Sequence, residues 1–139
     1  MDRDEFESLV ARAVEGLPEE FRSRLENVAI LVEDWPSQHQ LTKTGLGQGR
    51  TLLGLYEGVP LTRRGMHYGM VPPDKITIFQ KPIEAKHRSG DLIVREIQRV
   101  VRHEIAHHFG IGEARLRQIE AGTTNGMQRP GDKKRDSEV

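Results

Sequence analysis

Residues 91–110 read DLIVREIQRVVRHEIAHHFG, and no other part of the chain constrains the architecture as strongly. The apolar residues of this segment recur at the three- and four-residue spacing of one helix face, namely Ile93, Ile97, Val100, Val101, Ile105 and Phe109. Ser89 or Asp91 can cap the first turn, and Gly110 can end the helix in the left-handed conformation. The segment therefore predicts a long amphipathic helix over about 91–109, with one face in the core.

The end of this predicted helix carries the sequence His103-Glu104-Ile105-Ala106-His107, which is an HExxH motif. At about 100° per residue the two histidines lie one turn apart, so both imidazoles can bind one ion while Glu104 lies beside them. Zinc held by two histidines and a further protein ligand keeps one position for water and lowers the pKa of that water to roughly 7. The motif predicts His103 and His107 as zinc ligands and Glu104 as the general base that activates the water.

The third zinc ligand is predicted to be Glu113. Gly110 allows the chain to reverse after the helix, and residues 103–113 then fit the pattern HExxHxxGxx followed by a ligand. A carboxylate in the first turn of the final helix also interacts favourably with the helix dipole, which is the alternative role for Glu113.

Composition limits the other classes of function. The chain has 139 residues, enough for one domain, and its 21 basic and 21 acidic residues give a net charge of zero, which argues against nucleic acid or membrane partners. The absence of cysteine excludes disulfides and thiolate ligands, so a metal would need histidine and carboxylate ligands. There is no signal-peptide pattern and no long apolar run, so we expect a soluble cytoplasmic protein. The oligomeric state is left open.

The remaining segments predict an α+β domain over 1–122 and a disordered polar tail over 123–139. Helices are predicted around 6–14, from Pro18 onward and over about 113–121. Val28 to Val32 predicts a buried strand, Thr51 to Tyr56 a second strand, and the alternation in 75–80 a third, which Pro82 ends. Long surface loops are predicted for 35–50 and 61–73.

Four separate segments resemble the small bacterial minimal zincin family of metallopeptidase-like proteins. They are Val28–Asp34 with the following Trp-Pro, Gly-Leu-Tyr-Glu-Gly-Val-Pro-Leu-Thr at 54–62, Pro-Asp-Lys-Ile-Thr-Ile-Phe at 73–79, and the HExxHHFG run at 103–110. The resemblance covers roughly residues 5–120. It implies a compact zincin-like domain in which helices pack against a small mixed sheet, with His103, Glu104 and His107 at a cleft. In that family the position of Glu113 carries an acid.

Two predictions concern the substrate. Lys75, Ile76, Thr77 and Ile78 are predicted to form an edge strand that pairs with an extended polypeptide through main-chain hydrogen bonds, and a fully paired interior strand is the alternative. Tyr68 is a candidate to stabilise a tetrahedral oxyanion, although an exposed or packed side chain is the more ordinary role for a loop residue.

The sequence supports two hypotheses of different classes. The first is a zinc-dependent metallohydrolase, a peptidase that acts on extended or unfolded polypeptide. The second is a non-catalytic, zincin-shaped metal-binding module that binds a protein partner, which the small size and the 5% aromatic content keep open because both limit deep substrate pockets. A zinc ion that only stabilises the fold is a weaker third reading.

Overall fold

The computed structural model describes residues 1–45, 52–58 and 74–124. It contains α1 (Arg3–Glu15), α2 (Glu19–Arg22), a 3-10 turn (Ser23–Leu25), β1 (Val28–Glu33), α3 (Gln38–Thr44), β2 (Gly54–Gly58), β3 (Asp74–Phe79), α4 (Gln80–Lys86), α5 (Gly90–Phe109) and α6 (Glu113–Thr124). This order confirms the predicted α+β class. The predicted loop at 61–73 and the segment 125–139 of the predicted tail lie outside the described residues. Within those residues, no helix has both the length and the apolarity that crossing a membrane requires.

The three strands form a mixed sheet in the order β1-β3-β2, with β1 parallel and β2 antiparallel to β3. Strand β3 therefore lies in the centre, and its residues Ile76–Phe79 are all buried. The predicted edge position of β3 is wrong, and the interior alternative is correct. The polar-apolar alternation was misleading because Thr77, although polar, is fully buried.

The core lies between the sheet and the helices α1 and α5. Phe6 of α1, Phe21 of α2, Ile76 and Ile78 of β3, and Ile97 of α5 are fully buried in one apolar cluster. Burial of each such side chain contributes roughly 1.5–3 kcal/mol before conformational entropy is counted. The predicted apolar stripe of α5 is therefore its buried face, apart from Phe109, which is partly exposed.

The ends of α5 follow the predicted signals. Ser89 is the N-cap, and its side chain accepts a hydrogen bond from the Leu92 N–H. Gly110 has φ of 70° and ends the helix in the left-handed region, where its own N–H and that of Ile111 both donate to the Ala106 carbonyl. These contacts set the direction in which the chain leaves the HExxH turn.

Several local predictions are wrong. The segment predicted as a loop over 35–50 contains α3, which Ser37 and Gln40 start with a reciprocal capping box. Strand β3 ends at Phe79, close to the predicted end, but the helix α4 that follows was not predicted. Pro82 lies in its first turn, where the missing N–H costs no helical hydrogen bond. Strand β1 was predicted to be buried, but it lies at an edge and Leu31 is 41% exposed. Strand β2 begins at Gly54, so residues 52 and 53, which were predicted to belong to it, precede it.

A buried acid links α4 to α5. Glu96 is almost fully buried, and its carboxylate contacts His87 at 2.8 Å, Lys86 at 3.1 Å and the Arg99 guanidinium, whose Nε donates at 2.6 Å. Burial acts to raise the pKa of Glu96, but the hydrogen bonds from His87, Lys86 and Arg99 outweigh it and lower the pKa to about 2. Glu96 therefore stays ionised and is a structural contact.

Candidate metal centre

The HExxH residues occupy the last turns of α5, beside strand β2. His103 and Glu104 are half-buried and His107 is exposed. The Nε2 atom of His103 is buried and has no hydrogen-bond partner among the described residues. An unpartnered buried nitrogen is costly unless some group binds it, so this atom fits the role of a metal ligand.

The environment of His103 favours a neutral imidazole. Burial lowers the pKa of His103, and the positive charge of Arg99 lowers it further, whereas Glu113 and Glu120 act in the opposite direction without cancelling the effect. A neutral ring keeps the lone pair that a metal ion requires. The electrostatics of the site are therefore compatible with metal binding at His103.

Glu104 is held by the main chain of β2. The Tyr56 N–H donates to Glu104 Oε1 at 2.8 Å. Burial raises the pKa of Glu104, and the Tyr56 hydrogen bond and the charge of His107 oppose this only in part. A carboxylate with a raised pKa accepts a proton more readily near neutral pH, which suits a general base.

Glu113 is not brought into a complete ligand set. It is the first residue of α6, its side chain is 64% exposed, and Arg117 Nη1 lies 3.9 Å from its carboxylate. In the part of the chain that the structure describes, no three His, Asp or Glu side chains converge closely enough to hold a metal. The spacing of His103 and His107 on one helix still allows both imidazoles to bind one ion, and the third ligand stays a prediction.

The structure does not support the predicted substrate strand. The main chain of Lys75, Ile76, Thr77 and Ile78 pairs with β1 on one side and β2 on the other. It has no free edge for a peptide, so the prediction of main-chain pairing with substrate at these residues is wrong. The strand beside Glu104 is β2, which has a strand partner only on its β3 side among the described residues. Tyr68 lies outside the described residues.

Three residues near the site were not predicted to act together. The Tyr56 ring stacks on His108, with centroids 3.9 Å apart and planes 20° apart, and the Tyr56 hydroxyl donates to Asp74 Oδ2 at 2.6 Å. The stack gives His108 a packing role at the end of α5. No spacing in the sequence connects Tyr56 to Glu104, because 48 positions separate them.

Comparison with known families adds one finding. The sequence model of a family described as zincin-like metallopeptidase matches residues 25–123, which run from the 3-10 turn before β1 into α6. No curated protein matches the chain. The matched region includes the whole HExxH turn and every strand of the sheet.

Proposed function

The chain belongs to the zincin-like metallopeptidase family, and on this premise we propose that it is a zinc-dependent peptidase in which Glu104 is the general base. His103 and His107 would hold the zinc, with Glu113 as the predicted third ligand. The observation that carries this proposal is a buried His103 Nε2 that has no partner among the described residues and lies beside a carboxylate of raised pKa. When bound, zinc would supply a water molecule of lowered pKa and polarise the substrate carbonyl.

The role of Glu104 follows from its contacts. Because the Tyr56 N–H occupies Oε1, we assign Oε2 to receive the proton of the attacking water and to return it to the leaving amine. Burial excludes part of the surrounding water and keeps the proton affinity of the carboxyl high.

The substrate we propose is an extended polypeptide that lies along β2. Leu53 accepts from the Phe79 N–H, and hydrogen-bonded positions alternate along an antiparallel pair, so the main-chain groups of Gly54, Tyr56 and Gly58 face away from β3. An extended chain could pair with the main-chain groups of Gly54 and Gly58 on this outer side and present its carbonyl next to Glu104. This assignment replaces the one predicted for β3.

The direct test compares zinc-loaded wild type with His103→Ala. We expect wild-type protein to bind zinc and to cleave members of a library of unstructured peptides, and His103→Ala to lose both properties. His107→Ala repeats the test at an exposed position, where the substitution does not disturb the core. The control is His39→Ala, an exposed histidine of α3, which should behave as wild type. Zinc binding and cleavage that survive in both α5 variants would refute the proposed site.

A non-catalytic module remains the second candidate, because the described residues contain no three-ligand group and Glu113 is largely exposed. Such a module would bind a peptide or a protein partner without cleaving it. Zinc-loaded protein that binds unstructured peptides in a titration, and leaves every library member intact, would favour this candidate. Zinc content of Glu113→Ala separates the ligand question from catalysis, since loss of zinc is expected only if Glu113 is a ligand.

A further inference from the structure

The position of the Glu104 carboxylate depends on where Tyr56 lies. On the side of β2 that faces away from β3, the Tyr56 N–H is the donor that holds Glu104 Oε1. The Tyr56 N–H belongs to the main chain, so rotation of a side chain cannot move it. The distance from this N–H to Glu104 Oε1 therefore depends on how closely β2 approaches α5. The contacts that set this approach therefore set the geometry of the proposed base.

The side chain of Tyr56 connects β2 to both of its neighbours. Its ring stacks on His108 at the end of α5, and its hydroxyl donates to Asp74 at the start of β3. Phe109 packs edge-on against both rings, with centroid distances of 6.2 Å to Tyr56 and 5.0 Å to His108. Stacked and edge-on ring pairs add stabilisation beyond burial, which favours this position of the strand against the helix.

Two glycines on either side of Tyr56 permit this close approach. A Cβ at Gly54 would lie 2.5 Å from the Val100 side chain of α5, so any larger residue would push the strand and the helix apart. A Cβ at Gly58 would lie 3.3 Å from Asp74 Oδ1 and 3.4 Å from His108 Cε1. The segment Gly54-Leu-Tyr-Glu-Gly58 thus combines one large ring with two positions where space is minimal.

We propose that Tyr56, His108 and Asp74 form a clamp that positions Glu104 for proton transfer. Tyr56 and His108 are positioning residues in this proposal, since they act through the Tyr56 N–H and touch no reacting atom. The role of Glu104 in proton transfer rests on the proposed function. The hydrogen bond that the clamp maintains between Tyr56 and Glu104 can be tested in the protein without metal. The competing explanation is that these contacts only stabilise the sheet.

Amide hydrogen exchange, resolved by NMR on the full-length protein, tests the clamp without a substrate. Replacing Glu104 with alanine should speed exchange of the Tyr56 amide by about tenfold or more, because that amide loses its acceptor. His108→Ala should have a similar effect, because loss of the stack lets β2 move away from α5. The amides of Leu55 and Glu57 bond to β3 by the same alternation and should keep their wild-type rates in both variants.

The outcomes separate the clamp from a structural role. His108→Phe keeps a ring at the stacking position and should restore slow exchange at Tyr56. If His108→Ala leaves the Tyr56 amide at its wild-type rate, the clamp is refuted. If the Tyr56, Leu55 and Glu57 amides all speed up together, the contacts only stabilise the strand and the proposal is also overturned.

A second measurement concerns catalysis and distinguishes failure of this proposal from failure of the proposed function. On a peptide that wild-type protein cleaves, His108→Ala should lower kcat more than it raises KM, with zinc content unchanged. A change in KM alone would contradict a positioning role. Wild-type protein that cleaves no peptide would instead count against the proposed function, whereas the exchange rates would still decide whether the clamp holds Glu104.

Discussion

Helix α5 carries two groups of polar side chains, about two turns apart, that are built in opposite ways. In the first group, Glu96 is buried with three cationic or imidazole partners, and its pKa is lowered to about 2. In the second group, His103 has a buried nitrogen without a partner in the described residues, and burial raises the pKa of Glu104. The first group is fully bonded, which stabilises the fold; the second keeps unused binding capacity, as a functional site requires.

The largest expected effect is a loss of peptide cleavage when Glu104, in the second group, is replaced by glutamine. Glu104→Gln keeps the size of the side chain and its hydrogen bond from Tyr56, but removes the base. We expect peptide cleavage to fall by roughly 100-fold or more, since general base catalysis typically contributes that much. Zinc content, measured on the same preparations, should stay at the wild-type value.

The fold should tolerate this substitution, because neutralising a half-buried acid removes a desolvation cost. The control is Glu15→Gln at an exposed position of α1, which should leave both cleavage and stability unchanged. A Glu104→Gln protein that cleaves as fast as wild type would rule out Glu104 as the base.

The second effect tests whether Glu96 is as structural as its contacts indicate. Glu96→Ala removes the acceptor shared by His87, Lys86 and Arg99 and should lower the free energy of unfolding by about 2–3 kcal/mol. This value lies at or below the lower end of the usual range of about 3–5 kcal/mol, because the three partners retain some contact with water. Urea unfolding measures the change, and zinc content should be unaffected. If this variant lost zinc but kept its stability, Glu96 would belong to the metal site and would not be a structural residue.

The third effect is a decrease in the free energy of unfolding at low pH, which we expect Glu96 to cause. Its carboxyl has an ordinary pKa of 4.5 in the unfolded chain and about 2 in the folded chain, so between these values the unfolded state binds more protons. The stabilisation is therefore complete above about pH 4.5, is lost as the pH falls toward about 2, and is on the order of 3 kcal/mol at most.

Unfolding by urea at a series of pH values checks this dependence. The stability difference between wild type and Glu96→Gln should be largest near about pH 6 and should narrow by about pH 3. A difference that stays constant over this range would show that the carboxylate contributes through packing rather than charge.

The sequence predicted α5 well because its signals are local. The apolar spacing, the cap and the left-handed Gly110 all act within a few residues, and the structure chooses Ser89 from the two predicted caps. The placement of His103, Glu104 and His107 in the last turns of α5 could likewise be predicted, since it follows from the helix prediction alone; their roles at a metal stay predictions. The capping box of Ser37 and Gln40 was also readable in the sequence, although α3 was predicted as a loop.

The features that were not predicted depend on contacts between distant segments. Strand order is one example, because nothing local shows that β3 lies between β1 and β2. Thr77 would be expected on a solvated face, yet pairing on both sides and packing bury it completely. The hydrogen bond from Tyr56 to Glu104 is another, since it requires the sheet edge and the helix end to meet.

The smallest expected effect concerns Arg99, which belongs to both groups. It donates to Glu96, and its charge helps to lower the pKa of His103. Arg99→Gln should destabilise the fold by less than Glu96→Ala, because His87 and Lys86 still contact Glu96. In the metal-free protein the pKa of His103 should rise, yet stay below its ordinary value, because burial is the larger cause of the lowering. NMR titration of the histidine rings and urea unfolding measure the two changes.

Arg95→Gln is the matched control, since Arg95 is an exposed arginine of the same helix. It should leave both the pKa of His103 and the stability at their wild-type values. If Arg99→Gln changes the stability but not the pKa of His103, the two groups are electrostatically independent. If it changes both, Arg99 stabilises the Glu96 carboxylate and also helps to keep His103 unprotonated. A metal ion binds only the neutral form of the imidazole, so Arg99 would then favour metal binding.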